Sequence, residues 1–257
     1  MPVCSLLSVR YLIAFVFLLV IAGRSTLEEL RRTKSRAWIL PSLCISVSYL
    51  LSNLALKLTA ATSVAFLRSL ATILTPVLAF VLFRKKYGWR HFAVGALSVV
   101  GLFLLCSFGG LSGFGAGEVL SLLGALAMAG ALLFGEKALS ELGAATLATL
   151  QIGTSALLAL IAALILEGGV QVSDANVSVW GIICYLAIAC SAAGFLLQNA
   201  ALRRISAKSV ALVQCICPVM TAFFSFLILS ERLSVVGIAG AAMILLCVSA
   251  EILLIDP

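Results

Sequence analysis

Two stretches of the chain repeat one another: SNLALKLTAATSVAFLRSLATILTPVLAF, residues 52–80, and QNAALRRISAKSVALVQCICPVMTAFF, residues 198–224. Asn53 corresponds to Asn199, and the triplet SVA recurs, in both cases at a separation of 146 residues. The prolines Pro76 and Pro218 are 142 residues apart, so one copy has about one more helical turn before its proline. The chain is therefore expected to consist of two related halves.

Both copies lie in a chain that is far more apolar than a soluble protein. Of the 257 residues, 63% are apolar and 11% are charged, and the mean hydropathy is +1.23. Soluble domains are about 45–50% apolar and about 25% charged, and a core of this size could not hide the excess from water. These values exclude a soluble enzyme, a nucleic-acid-binding domain and a disordered chain. They predict a polytopic membrane protein.

Nine segments are long and apolar enough to cross a bilayer as helices, since a spanning helix needs about 20 mostly apolar residues. Dividing the chain at charges and at clusters of Gly, Pro, Ser and Asn leaves the segments 3–22, 37–56, 63–83, 90–108, 117–135, 142–166, 177–201, 208–229 and 233–254. The fold is therefore expected to be all-α, with nine transmembrane helices, short loops and no soluble domain.

The basic residues indicate how these helices are oriented. Thirteen of the 17 Lys and Arg residues lie on one alternating set of loops, at 23–36, 84–90, 137 and 203–208. Cytoplasmic loops carry such an excess, so we expect the N-terminus outside and the C-terminus in the cytoplasm, in the cell membrane. The net charge of +7 then reflects topology and predicts no nucleic-acid partner.

With this orientation the two copies cross the membrane in opposite directions, which is an inverted repeat of the kind that secondary transporters use. Residues 1–23 also fit a signal peptide, because Arg10 precedes an apolar run. Cleavage there would leave the basic loop 24–36 outside, however, and the repeat gives this segment a structural role.

Few residues are suited to catalysis. His91 is the only histidine and lies in the basic stretch RKKYGWRH. Cys215 and Cys217 form a CxC pair, which does not match the common zinc patterns. We therefore predict no enzyme, no metal and no cofactor; an intramembrane enzyme would need His91 or the CxC pair.

Two arginines lie within the predicted spans, where an ionisable side chain is costly and is a candidate for function. Arg10 and Arg68 are both in the outer half of the membrane by the predicted topology. They are candidates to bind an anionic group of a substrate, such as a carboxylate or a phosphate. The alternative is that each side chain extends to the outer headgroups or pairs with carbonyls at helix ends.

Two glutamines and two prolines complete the set of candidates. Gln214 is the repeat counterpart of Arg68, and Gln151 is a looser counterpart of Arg10. Both are expected in the inner half, as part of a polar substrate path or as interhelical hydrogen bonds. Pro76 and Pro218 are expected to kink their helices, which frees carbonyls toward a cavity or simply distorts the helix.

The stretch SVALVQCICPVMTAFFSFLILSERLSVVGIAGAAMILLC, residues 209–247, resembles the end of an EamA domain of the drug/metabolite transporter (DMT) superfamily. A helix with a central proline is followed by a Ser-Glu-Arg turn and a Gly-rich final helix. The resemblance extends over nearly the whole chain, in two copies. It implies ten helices in two inverted five-helix repeats. Residues 1–110 resemble a first repeat without its first helix, and residues 111–257 resemble a complete second repeat.

The resemblance implies a secondary transporter, a permease or exporter of a small metabolite such as an amino acid, which works by alternating access between the two repeats. A carrier of lipid-linked sugars or nucleotide sugars, and an accessory subunit of a transporter, remain as alternatives. The implied partners are a small-molecule substrate, the lipid bilayer, and a homodimer or other partner that supplies the missing helix.

Overall fold

The computed structural model describes residues 1–33, 36–59, 61–84, 89–106, 115–171, 177–220, 223 and 235–254. No strand occurs among them, and the secondary structure is helical. In chain order the helices are α1 Val3–Thr33, α2 Ile39–Ala55, α3 Ala61–Ser69, α4 Ala71–Phe83, α5 Trp89–Cys106, α6 Ala116–Ala138, α7 Ala144–Leu166, α8 Val177–Tyr185, a π-helix Leu186–Ala192, α9 Ala193–Leu202, α10 Ala207–Val213 and α11 Val235–Leu254.

The described helices fall on the nine predicted apolar segments. Five helical stretches are long and apolar enough to cross a membrane: Val3–Thr33, Ser63–Phe83, Ala116–Ala138, Ala144–Leu166 and Ser178–Leu202. The remaining four segments carry shorter apolar helices: Ile39–Ala55, Ala93–Leu104, Ala207–Met220 and Val235–Ala250. The prediction of an all-α polytopic membrane protein is thus confirmed.

The first helix differs from its predicted length. The sequence predicted a span that ends at residue 22 and a basic loop from 23 to 36, whereas α1 continues to Thr33. The extension LEELRR consists of strong helix formers, and Arg31 and Arg32 lie in the last turn, where cations interact favourably with the helix dipole. The apolar pattern ends near residue 22, whereas the helix continues to Thr33.

Each copy of the repeated segment is interrupted before its proline. In the first copy Leu70 separates α3 from α4, and its N–H donates to the carbonyl of Leu67, three residues back. Pro76 lies six residues further on, inside α4. In the second copy the helix is broken by a turn at residues 214–215 and resumes over 216–220, which includes Pro218. The rest of segment 208–229 and the Ser-Glu-Arg turn at 230–232 lie outside the described residues.

Segment 177–201 contains a π-helix, in which the N–H of Ala193 donates to the carbonyl of Ile188, five residues back. The repeat counterparts of its residues, 40–46, lie in the ordinary α-helix α2. The two halves of the chain therefore differ in backbone geometry here.

The chain forms two compact units, and each takes helices from both halves of the sequence. Unit 1 comprises Met1–Asn53 and Gly130–Arg204, and unit 2 comprises Leu54–Ala129 and Ile205–Pro257. Within unit 1, α1 packs mainly on α7, and within unit 2, α5 packs mainly on α11. Each of these pairs joins corresponding helices of the two halves.

Candidate substrate-binding site

Arg10, on α1 in unit 1, is held against the π-helix. Its Nε atom donates a hydrogen bond to Ser191 Oγ at 2.7 Å, and its Cζ atom lies 5.7 Å from the centroid of the Tyr11 ring. Ser191 is only 1% exposed. A guanidinium has five N–H donors, and in the described part of the chain Ser191 takes just the one on Nε. The terminal Nη groups can therefore bind an anion.

Ser191, the hydrogen-bond partner of Arg10, lies in the π-helix. A π-helix inserts an extra residue into the helical path and is frequent at functional sites. The repeat counterpart of Ser191 is Ile45, a fully buried apolar residue in α2. The second half of the chain therefore has a polar side chain at a position where the first half has an apolar one, and nothing in the hydrophobic pattern marks it.

Three aromatic rings pack together, and one of them is Tyr11, the neighbour of Arg10 in α1. The ring centroids of Tyr49 and Phe195 are 5.4 Å apart at an interplanar angle of 26°, which is a stacked pair. Tyr11 meets each of them edge-on, with centroids 6.4 Å away. Phe195 lies 146 residues after Tyr49, the same separation that relates the two repeat copies. The stacked rings are thus repeat-related residues that pack on one another.

Gln151, predicted as a site residue, is paired with Asn199. Asn199 Nδ2 donates to Gln151 Oε1 at 2.7 Å, and the two side chains are 1% and 0% exposed. In the sequence Asn199 stands out only as the repeat counterpart of Asn53. Its repeat counterpart Asn53 does bond within its own helix, from Nδ2 to the carbonyl of Tyr49.

One residue from each of these contacts lies on the same helix face. Ser191, Phe195 and Asn199 are spaced four residues apart along the π-helix and α9, and residues at this spacing lie above one another on a helix. Unit 1 therefore collects a cation, an aromatic trio and a buried amide pair along a single face.

Arg68 and Gln214, the other predicted pair, both belong to unit 2 and lie at the helix interruptions. Arg68 is in the last turn of α3, just before Leu70, and Gln214 is the residue at which α10 ends. Both side chains are half-buried. Interrupted helices line substrate sites in many transporters. An outer arginine pair and an inner glutamine pair, one member from each unit, remain a prediction.

Two carboxylates that the sequence did not single out connect the ends of α1 and α7. Glu167 accepts the backbone N–H groups of Cys4 and Ser5, both at 2.8 Å, and the Ser5 hydroxyl at 2.7 Å. Partial burial acts to raise the pKa of the Glu167 carboxyl, but the hydrogen bonds from Ser5 and Cys4 outweigh it and lower that pKa below its ordinary value. Gly168, at φ 71°, adopts a left-handed conformation that suits glycine and ends α7 at this point.

The other end of the pair is closed in the same way. Glu29 accepts the N–H of Gly143 at 2.7 Å and a hydrogen bond from the Thr146 hydroxyl. Glu29 and Glu167 are 138 residues apart, and so are Ser5 and Gly143. Each helix thus ends in a carboxylate that caps the N-terminus of its partner, where the helix dipole favours negative charge.

Comparisons with known proteins agree with this architecture. The model of the EamA-like transporter family matches residues 1–107 and 115–250. A solved structure titled "Crystal structure of protein" superposes with a TM-score of 0.83 over 99% of this chain and 88% of its own, at 15% sequence identity, which shows a shared fold. No match was found among curated proteins. The chain therefore belongs to the EamA-like transporter family and is a membrane transporter of the DMT superfamily.

Proposed function

We propose that the chain carries a small metabolite with a carboxylate, such as an amino acid, across the cell membrane, and that Arg10 binds the carboxylate. The supporting observation is the geometry of Arg10, whose Nε is fixed on buried Ser191 while its Nη groups stay available. A fixed guanidinium binds a carboxylate through two parallel hydrogen bonds. A cation in an apolar helix is costly, and binding an anionic substrate offsets that cost.

Transport in this proposal is alternating access between the repeats over residues 1–110 and 111–257, with the N-terminus outside and the C-terminus in the cytoplasm. Rocking of one set of helices against another exposes the site to each side in turn. The interruptions at Leu70 and at residues 214–215 are suitable points for bending, because the backbone hydrogen-bond ladder is already broken there. No covalent step is involved.

The test is substrate exchange in proteoliposomes that contain the purified chain and a mixture of radiolabelled L-amino acids. We expect Arg10→Gln to lower exchange at least about tenfold, because a charge-assisted bidentate contact is lost. Arg24→Gln, which removes an exposed arginine from the same helix, should leave the rate unchanged. Equal exchange by wild type and Arg10→Gln, at equal amounts of inserted protein, would overturn the proposal. Exchange of a nucleotide sugar instead would favour the carrier alternative.

A partner helix is proposed from the repeat relation. A Cβ atom on Gly130 of α6 would lie 3.5 Å from Cys44 Sγ, so α6 covers that cysteine closely. Cys190 lies 146 residues after Cys44 and is exposed. We infer that a transmembrane helix of another chain covers Cys190. The partner should then protect Cys190 from a membrane-permeant maleimide in native membranes, but not after purification has removed the partner; equal labelling in both states would contradict the inference.

A further inference from the structure

The buried amide pair has an acceptor that no protein group uses. Asn199 is fully buried, its Nδ2 is bonded to Gln151, and its Oδ1 has no hydrogen-bond partner among the described residues. A buried carbonyl oxygen without a partner destabilises the fold. Such an atom in a transporter of small molecules points to a ligand that supplies the missing donor.

The unpaired oxygen does not follow from the residue type or from its place in the repeat. Asn53, the counterpart of Asn199, is only partly buried and bonds the carbonyl four residues back in its own helix. Asn199 instead bonds across to α7, which leaves its oxygen in the apolar interior of the bundle. The two asparagines therefore form different hydrogen bonds, one within a helix and one between helices.

The separation of Ser191 and Asn199 along their helix indicates the size of a ligand that reaches both Arg10 and Asn199. Ser191, the partner of Arg10, precedes Asn199 by eight residues on the same helix face, or about 12 Å at 1.5 Å per residue. If the Nη groups of Arg10 lie level with Ser191, two hydrogen bonds of about 2.9 Å leave about 6 Å between the terminal polar atoms of a bound molecule. The amine and carboxylate of one α-amino acid are too close, since one extended residue spans about 3.5 Å.

We propose that the Gln151–Asn199 pair is a second subsite, in which Asn199 Oδ1 accepts an N–H group at the distal end of a substrate whose carboxylate is bound by Arg10. The substrate class is an amino acid whose side chain ends in an amide or amine, or a dipeptide. Its apolar middle packs on the Tyr49–Phe195 stack, where Tyr49 is only half-buried. This inference rests on the proposed carboxylate site at Arg10.

The first test compares transport of L-glutamine with that of L-norleucine, which has a similar length but no distal donor. We expect the KM of wild type for glutamine to be about tenfold lower than for norleucine, the effect of one hydrogen bond to an otherwise unpaired acceptor. Asn199→Leu should remove this preference and leave the KM for norleucine nearly unchanged. Arg10→Gln should weaken both substrates alike.

Two variants serve as controls for folding. Asn53→Leu alters the counterpart asparagine and should keep the preference for glutamine. The double variant Gln151→Leu/Asn199→Leu removes both buried amides together, so no partner is left unsatisfied, and it should lose the preference as Asn199→Leu does. Equal KM values in wild type, or equal weakening of both substrates in both Asn199 variants, would overturn the proposal.

A second test uses pentanamide, which has the amide but no carboxylate, and measures the Tm of the purified chain. Pentanamide should raise the Tm of wild type and of Arg10→Gln, but not that of either Asn199 variant. If no amino acid is transported and this pattern is still found, the proposed carboxylate function fails and the subsite stands. Absence of the shift in wild type, or an equal shift in the Asn199 variants, overturns the subsite.

Discussion

Units 1 and 2 pack corresponding helices of the two halves together, but they use different groups to do so. In unit 1 the ring of Phe15 lies against Gly153, 138 residues later, and carboxylates close both ends of the α1–α7 pair. In unit 2 the α5–α11 pair brings Gly101 against the backbone of Gly240. Unit 2 also contains an apolar cluster, formed by Leu102, Cys215, Val219, Ile244 and Val248, and its member Ile244 lies close to Gly101.

The difference indicates where to look for function in a duplicated chain. Duplication produces matched contacts, such as the carboxylate caps at the two ends of the α1–α7 pair, and these account for packing. Two polar features of unit 1 break the match: Ser191 stands where the first half has the apolar Ile45, and Asn199 bonds differently from Asn53. We therefore expect substrate binding at positions where the two copies diverge, and helix association at positions where they agree.

The largest effect is expected from Gly101→Ala, which breaks the close approach in unit 2. The new Cβ atom would lie 2.9 Å from the carbonyl oxygen of Gly240 and 3.1 Å from Cγ1 of Ile244. Because the first of these atoms is backbone, the two helices must separate, at a cost of about 2–3 kcal/mol. The measurement is thermal unfolding of the purified protein in detergent.

The matched control for that substitution is Gly181→Ala in α8, where no atom lies within 4 Å of the added Cβ atom. It should leave the protein as stable as wild type or slightly more stable, because alanine favours a helix. A Gly101→Ala protein with the wild-type Tm would show that the α5–α11 contact is loose.

Removing a carboxylate cap from unit 1 should have the next largest effect. Glu29→Ala removes the acceptor for the Gly143 N–H and the Thr146 hydroxyl, and loss of a helix cap costs about 1–2 kcal/mol. Glu28→Ala changes an exposed neighbour of equal charge and should alter the Tm little. Equal Tm values for the two variants would mean that the cap does not hold α1 on α7.

Much of this architecture could be predicted from the sequence, because apolar helices appear as continuous apolar segments of the chain. The nine apolar segments and the repeat were predicted, and Arg10 and Gln151 stood out because polar side chains are rare in such helices. The caps were not accessible, since Glu29 and Gly143 are far apart in the chain. The hydrogen bond of Asn199 to Gln151 and its unpaired oxygen could not be predicted either, because both depend on how α7 packs against α9.

A smaller effect is expected from Thr72→Val, which tests whether a polar contact matters in the largely apolar unit 2. The Thr72 hydroxyl donates to the carbonyl of Ala211 at 3.1 Å and lies 3.0 Å from Cys215 Sγ. Valine keeps the shape and loses the hydrogen bond, which is worth about 1 kcal/mol. Thr75→Val is the control, because that hydroxyl bonds the carbonyl of Ala71 in its own helix. Equal losses for the two variants would contradict a role for Thr72 in joining α4 to α10.

The smallest effect is a pH dependence that originates at the Glu167 cap of unit 1. Its hydrogen bonds from Ser5 and Cys4 lower the pKa of the carboxyl, so the folded protein favours the ionised form more than the unfolded chain does. The stabilisation is fully present above the unfolded pKa of about 4.3 and is lost as the pH falls through the lower folded pKa. We expect the Tm advantage of wild type over Glu167→Gln to be constant from pH 7 to 5.

Below that range the advantage should shrink, and it should be small throughout, because a partly exposed carboxylate is screened by solvent. Glu28→Gln provides the reference, since Glu28 is exposed, and its Tm difference from wild type should not follow the same course. An advantage that grows on acidification would mean that the protonated carboxyl is the better cap. The Glu167 end of the α1–α7 pair would then be held by neutral hydrogen bonds, like the one that Thr72 makes between α4 and α10.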